Sequence, residues 1–419
     1  MAGRNVFYAQ SGGVTAVINA SAAGLFDTIE SYPNTFGQIY AGKNGILGAL
    51  REELIDVSAL SQESRTGLVH TPGGAFGSCR YKLKSPSERP EQYARLLEVF
   101  KAHDIGYFFY NGGGDSQDTA DKVSRFTREQ GFPVQCIGIP KTIDNDLPFT
   151  DACPGFGSVA KYVATSIREA ALDVESMAES STKVFILEVM GRHAGWIAGA
   201  AGLAQADGHV APQLILFPER VFDPEDFLKA VDAIVARDGF CAIVASEGIK
   251  TADGQFLAET GLRDAFGHAQ LGGVASTLAQ LIKDRLGLKY HYAIADYLQR
   301  AARHIASQTD VDQAYALGAY AARLAEGGET AVMPIIKRTS DNPYQWELAS
   351  VPLSEVANVE RTMPDDFIRA DGYGITDVAR RYFQPLIQGE AVPPFHNGLP
   401  SYVRVEYTFA PKRLSAFSI

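Results

Sequence analysis

Cysteine is scarce in this chain, and the little there is lacks pattern. Cys79, Cys136, Cys153 and Cys241 are the four among 419 residues, with no CxxC spacing. That argues against a zinc ribbon or a disulfide framework and suits a reducing compartment. Long hydrophobic runs are missing too: no apolar stretch approaches the ~20 residues that span a bilayer. Met1–Asn5 leads into a strand-like segment with no signal-peptide core. Basic residues are outnumbered, 38 Lys and Arg against 49 Asp and Glu, for a formal net charge of −11. A broad nucleic-acid surface is disfavoured by that balance, although a few clustered cations still dominate a local cleft. A cytoplasmic protein with neither a membrane nor a nucleic-acid partner is expected.

What is present is a recurring unit: a short apolar run, a glycine-rich or polar loop, then a helix-forming stretch. It occurs as Val6–Ala9, Gln10–Gly13 and Thr15–Leu25, again as Ile105–Tyr110, Asn111–Ser116 and Gln117–Phe126, and again as Val184–Val189, Met190–His193 and Ala194–Ala204. The runs Leu214–Phe217 and Cys241–Ala245 alternate with the amphipathic Pro224–Ala236. Strands alternating with helices imply parallel sheets covered on both faces, an α/β architecture. Pro154-Gly155-Phe156-Gly157-Ser158 breaks the pattern, so a lobe boundary is expected near 151–159. The chain crosses back after Tyr297–Arg300, before the helix-like Asp310–Glu326. From Asp341 onward the tail is rich in Pro, Tyr and charge and has no readable period.

Charged residues gather where these strands end, the place at which ligands bind in open α/β sheets. Pro140-Lys141-Thr142-Ile143-Asp144-Asn145-Asp146 closes the run Val134–Ile139 and sets two acids one residue apart beside a lysine. Gly112-Gly113-Gly114-Asp115-Ser116 opens a helix, where bare backbone N–H groups and the helix N-terminus favour an anion. Pro72–Arg80 is a second glycine-rich loop ending on a cation, Met190-Gly191-Arg192 puts an arginine after a strand, and Ser246-Glu247-Gly248 a carboxylate. Each feature alone is equally a turn, a helix cap or a surface ion pair. Together they describe a cleft for a phosphorylated, hydroxyl-bearing ligand.

In order and spacing, Ser11-Gly12-Gly13, Gly112–Ser116, Thr142–Asp146, Met190–Arg192, Glu247 and Gln299-Arg300 resemble the phosphofructokinase family, from about residue 5 to about residue 325. The resemblance implies two Rossmann-like three-layer lobes with mostly parallel sheets and a C-terminal extension. Residues 1–155 would bind the phosphoryl donor, completed by part of 305–345; residues 156–304 would bind the sugar phosphate; 346–419 would pack on both. The implied reaction is reversible phosphoryl transfer to the 1-hydroxyl of fructose 6-phosphate, as in glycolysis and gluconeogenesis, with Mg²⁺ as cofactor and a homodimer or homotetramer as the assembly.

By the same resemblance Asp144 is the general base, helped by Lys141, Asp115 and Arg192. Gly12, Gly13, Arg80, Gly113, Gly114 and Ser116 would hold the donor. Thr142, Ile143, Asp144, Lys183, Met190, Gly191, Arg192, Glu247, Tyr297 and Arg300 would hold the sugar phosphate. Members that use inorganic pyrophosphate usually carry Asp and Lys where this chain has Asp115 and Lys141, and ATP-using members usually carry glycine. A carboxylate at Asp115 would repel an ATP α-phosphate while Lys141 neutralises pyrophosphate. Pyrophosphate is therefore the expected donor, with an ATP-dependent kinase or a silent sugar-phosphate-binding subunit as alternatives. Gly114 replaces the aspartate that many relatives associate with magnesium, which leaves Asp115 and Asp146 as expected metal ligands. Ala301-Ala302-Arg303-His304 follows Arg300 in place of the family's frequent RGGxP, leaving Arg303, Lys289 and Tyr290–Tyr292 as partners for the sugar phosphate.

Overall fold

Residues 3–263 and 269–419 are described by the computed structural model; Met1 and Ala2, which head the segment read for a signal peptide, lie outside them. Fourteen strands make up the two main sheets and one hairpin: β1 (Arg4–Ser11), β2 (Phe36–Gly42), β3 (Leu54–Asp56), β4 (Ser78–Cys79), β5 (Ile105–Gly112), β6 (Gln135–Pro140), β7 (Val184–Val189), β8 (Leu214–Leu216), β9 (Cys241–Ser246), β10 (Glu259–Arg263), β11 (Ala269–Leu271), β12 (Tyr290–Ile294), β13 (Val332–Asp341) and β14 (Tyr344–Pro352). The first sheet runs β14-β13-β6-β5-β1-β2-β3, with β4 beside the end of β1. Its centre is parallel, and β3 and β14 close its edges antiparallel. The second sheet, β12-β7-β9-β8, is wholly parallel. β10 and β11 form the separate hairpin.

The central strands β5, β6, β7 and β9 are largely apolar and buried, as strands covered on two faces are: β9 is buried at all six positions. The helices Ile18–Glu30 and Gln308–Glu326 cover one face of the first sheet, and Pro90–Ala102 and Gly114–Glu129 cover the other. The first pair crosses closely, since a Cβ at Gly318 would lie 1.9 Å from the Ser21 carbonyl oxygen. On the second sheet, Pro224–Asp238 and Val274–Leu286 pack on one side. The 22-residue helix Phe156–Met177 packs on the other, with Trp196–Ala204 and the segment 363–387.

Two expectations change in detail. The glycine-rich break at 154–158 is the start of that long helix: Gly155, at φ +111°, turns the chain, and Gly157 lies inside the helix where a Cβ would sit 2.5 Å from the Leu386 carbonyl oxygen. The expected start of the extension at 346 falls within β14, which pairs with β13 and so belongs to the first sheet. The extension beyond β14 then divides. Met363, Phe367, Phe383 and Leu386 join the core under the second sheet. Residues 408–410 add to the β3 edge, with Asp56 N donating to Thr408 O and Ala410 N to Leu54 O, both at 2.8 Å. Among the described residues no helix is long and apolar enough to cross a membrane.

Candidate active site

The loops that leave the carboxyl ends of β1, β5 and β6 in one sheet, and of β7 and β9 in the other, face a common cleft. The centre of its first wall is Lys141. Its ammonium donates to the Gly13 carbonyl oxygen at 2.7 Å, and a Cβ at Gly12 would lie 3.3 Å from it. Gly12, at φ +76°, supplies the conformation that this approach needs. Burial pushes the Lys141 amine down to about 8, assisted by the charges of Arg300 and Arg80 and opposed by Asp146 and Asp144. Arg300 lies against the same loop: a Cβ at Gly13 would meet its Nη1 at 2.5 Å and the Arg80 Nη2 at 3.6 Å. Three cations thus line the Gly12-Gly13 loop, a place for a polyanion.

Asp144 and Asp146 follow on the same turn. Thr142 Oγ1 accepts from the Asp144 N–H at 3.1 Å and is also hydrogen-bonded to the Asp146 carboxylate. Burial raises the Asp144 carboxyl to about 7, and the charges of Asp146 and Glu247 add to the shift against Lys141 and Arg192. Asp146 is raised by burial and by the charge of Glu360. Ile143 is buried between the sheets.

On the second wall, Gly191 takes φ +134° and Ser246 Oγ donates to its carbonyl oxygen at 2.6 Å. The Met190 N–H donates to Gln299 Oε1 at 3.3 Å. Arg192 stands between Asp144 and Glu247 electrostatically, and its buried Nε has no hydrogen-bond partner among the described residues. Burial raises Glu247 to about 7 despite the opposing pull of Arg192. Tyr297 is exposed, with the Arg300 guanidinium 3.8 Å from its ring centroid.

The helix-opening loop lies less as expected. Gly114 borders open space, since a Cβ there would meet nothing within 4 Å, whereas a Cβ at Gly113 would lie 3.7 Å from the Lys141 carbonyl oxygen. Ser116 is buried, its hydroxyl against Gly112. Asp115, expected to face a metal, forms an ion pair with Lys82 at 2.6 Å. Among the described residues no group of three or more His, Cys, Asp or Glu is placed to hold a metal ion. The described residues therefore build no cage of their own for Mg²⁺. Their acids fit only the mode in which one carboxylate assists phosphate oxygens and water, with Asp146 the acid beside Lys141.

Lys183 is not brought to this cleft. It precedes β7, at the opposite end of the strand from Arg192, so about 20 Å separates them at ~3.3 Å per residue. Its ammonium donates to the carbonyl oxygens of Ala178 and Glu179. Lys289 lies at that same end, with Nζ 2.9 Å from Ser181 Oγ. Arg303 is wholly buried and donates to the Val69 and Ala391 carbonyls, a tie for the backbone. Tyr290 and Tyr292 lie on β12, the edge strand.

Several residues of the site had no forecast. Lys82 carried a faint signal, because it lies two positions beyond Arg80 and residues at that spacing share a side of an extended chain. Gln299 and Ser246 stood in the motifs Gln299-Arg300 and Ser246-Glu247-Gly248, but without a role of their own. Glu360, Arg361 and Tyr382 come from the tail, where no period pointed to them.

The family model for phosphofructokinase matches residues 5–325. The chain is 63% identical over its full length, and over all of the relative, to the pyrophosphate–fructose 6-phosphate 1-phosphotransferase of Methylococcus capsulatus. It is 58% identical, again over both full lengths, to the protein of that name from Halomonas elongata. The crystal structure of a pyrophosphate-dependent phosphofructokinase from Marinobacter aquaeolei superimposes with a TM-score of 0.91 at 56% identity, covering 99% of this chain and 100% of that one. With its two three-layer lobes and a cleft of strand-end loops between them, the chain belongs to the phosphofructokinase family.

Proposed function

We propose that the protein transfers a phosphoryl group from inorganic pyrophosphate to the 1-hydroxyl of fructose 6-phosphate, giving fructose 1,6-bisphosphate and phosphate. The observation that carries the choice of donor is the buried ammonium of Lys141 on the Gly12-Gly13 loop, flanked by Arg80 and Arg300. Three cations in so small a space suit a compact tetra-anion. Asp115, held by Lys82 at the start of the helix, places a carboxylate where a longer nucleotide would run.

Asp144 takes the proton of the 1-hydroxyl as that oxygen attacks the nearer phosphorus. The bridging P–O bond breaks and phosphate leaves. A carboxyl poised at about 7 is well matched to accept that proton at neutral pH and to return it in the reverse direction. Lys141, Arg80 and Arg192 balance the charge on the transferring group, and such fixed electrostatics supply much of the rate in phosphoryl transfer. Asp146 is the residue that would meet a Mg²⁺ ion accompanying pyrophosphate, and the ion would add charge neutralisation there. Glu247 receives the sugar hydroxyls.

Lys183 can serve a sugar phosphate only in the cleft of another copy. The exposed Tyr292, Ile294, Tyr297 and Leu298, on and just after edge strand β12, provide an apolar face for such a homo-oligomer. Purified protein supplied with fructose 6-phosphate, Mg²⁺ and either pyrophosphate or ATP tests the reading. Product with pyrophosphate alone supports it; product with ATP alone overturns the donor, and product with neither from folded protein overturns the activity.

A further inference from the structure

Asn145, the residue between the two acids, is wholly buried and takes the left-handed conformation at φ +54°. Such a backbone persists in a non-glycine residue only when its surroundings hold it. Here the holding comes from the tail. Arg361 donates from Nη2 and Nε to the Asn145 carbonyl oxygen at 2.8 and 3.2 Å, and from Nη1 to the Thr150 carbonyl oxygen at 2.6 Å. Its own N–H donates to the Asp146 carbonyl oxygen at 2.7 Å. The Asn145 amide donates to the Tyr382 hydroxyl at 2.9 Å, and that hydroxyl donates to the Asp151 carbonyl oxygen.

The same arginine reaches the other wall. Its guanidinium stacks 4.7 Å from the Trp196 ring centroid, and Trp196 Nε1 donates to the Arg361 carbonyl oxygen at 3.2 Å. Trp196 opens the helix four residues after Arg192. One side chain therefore ties the turn bearing Asp144 to the element that follows Arg192. The guanidinium's fan of donors is what allows this; an ammonium is a single point.

Resting on the reading above, we propose that Arg361, with Tyr382, is a positioning residue for phosphoryl transfer: it sets the Asp144–Asp146 turn of one lobe against Arg192 of the other. It acts through the backbone carbonyls of Asn145 and Thr150. Its loss should lower kcat while leaving both KM values nearly alone, since misplacing a reacting group by about 1 Å costs roughly 100-fold. A purely structural role predicts a lower melting temperature with unchanged kinetics in whatever remains folded.

The experiment is steady-state kinetics on the full chain with wild type, Arg361→Lys, Arg361→Ala and Tyr382→Phe, alongside thermal melts. Expected is a kcat lowered about 10- to 100-fold in Arg361→Lys, with each KM within about 3-fold. Arg361→Ala should fall further and recover in part with millimolar guanidinium ion. If Arg361→Ala does not fold, Arg361→Lys and Tyr382→Phe decide. An active wild type beside an Arg361→Lys variant with kcat within 2-fold, or with raised KM and intact kcat, overturns this inference alone. A folded wild type inactive with pyrophosphate overturns the functional reading and this inference with it.

Discussion

The Lys141 ammonium and the Gly13 carbonyl oxygen, 2.7 Å apart, join the turn after β6 to the loop after β1 across the parallel sheet. This contact puts a buried cation where a phosphate would meet two glycines, and it makes the cation's protonation measurable. Burial holds the Lys141 amine at about 8. As pH rises through that value the charge is lost, so kcat/KM for pyrophosphate should fall on an alkaline limb centred there. Arg300→Gln removes a neighbouring positive charge, eases protonation of Lys141 and should move the limb to higher pH. Lys141→Met should cost about 100- to 1,000-fold and abolish the limb. A limb that survives in Lys141→Met would assign it to another group.

Asp144 should generate the acid limb. Its carboxyl is raised to about 7 by burial, by Asp146 and by Glu247, and only the ionised form accepts a proton. Activity should therefore rise with pH through about 7. Asp146→Asn removes one negative neighbour and should shift the limb to lower pH. Asp144→Asn should lower kcat by about 100- to 10,000-fold. The same substitution should stabilise the fold. A carboxyl whose folded pKa exceeds its unfolded value makes stability fall as pH rises between the two. Thermal melts should thus show Asp144→Asn above wild type at pH 8, with the gap closing toward pH 4. A gap of equal size at both pH values would remove ionisation as its cause.

Much of the first wall was legible in the sequence because its residues lie in short segments whose meaning is local. A strand followed at once by Lys141-Thr142-Ile143-Asp144 delivers those side chains to the sheet's edge whatever the rest of the chain does. Lys183 shows where that logic stops. It flanks the same strand as Arg192, but a strand has two ends, and only one faces the cleft. Arg300 was expected at the sugar phosphate from the family resemblance alone, and its place beside Gly13 was not legible, because that contact joins the two lobes. Arg361 was illegible for a further reason. It holds carbonyl oxygens of the Asn145–Asp151 turn, and a carbonyl leaves no mark in the choice of side chain. The break read at 154–158 became the start of a helix because Gly157 is required by close packing on the Leu386 carbonyl, which periodicity cannot report.

Glu247 should separate the two substrates. It is half-buried beside Arg192, whose Nε has no hydrogen-bond partner among the described residues, so a hydroxyl-rich ligand entering here meets both an acceptor and a donor. A hydrogen bond to a charged group contributes about 1.5–3 kcal/mol. Glu247→Ala should accordingly raise KM for fructose 6-phosphate roughly 10- to 100-fold, while KM for pyrophosphate changes little. The measurement is a pair of saturation curves at pH 8, where Glu247 is ionised. Equal increases in both constants would place the residue in general support of the cleft.

The tail beyond residue 400 is anchored by one buried carboxylate. Glu52 accepts from the backbone N–H groups of Arg413 and Leu414, lies 2.7 Å from His103 Nε2 and 3.8 Å from the Arg95 guanidinium, and is 1% exposed. Farther along, Thr71 Oγ1 accepts from the Val403 N–H and the Tyr407 hydroxyl donates to the Ala75 carbonyl oxygen. The strap therefore spans from the β3 edge to the glycine-rich loop that leads to Arg80. Removing one partner of a buried charged cluster costs about 3–5 kcal/mol because the remaining charges stay desolvated. Glu52→Ala should lower the melting temperature and release the tail, seen as rapid loss of a C-terminal peptide in limited proteolysis followed by mass spectrometry. Glu52→Gln keeps an acceptor for one backbone N–H and should lie between wild type and Glu52→Ala. Because the strap touches the loop at Thr71 and Ala75, KM for pyrophosphate should rise only a few-fold. Wild-type protease resistance in Glu52→Ala would mean that the apolar contacts of Leu414 and Phe417 hold the tail without the carboxylate.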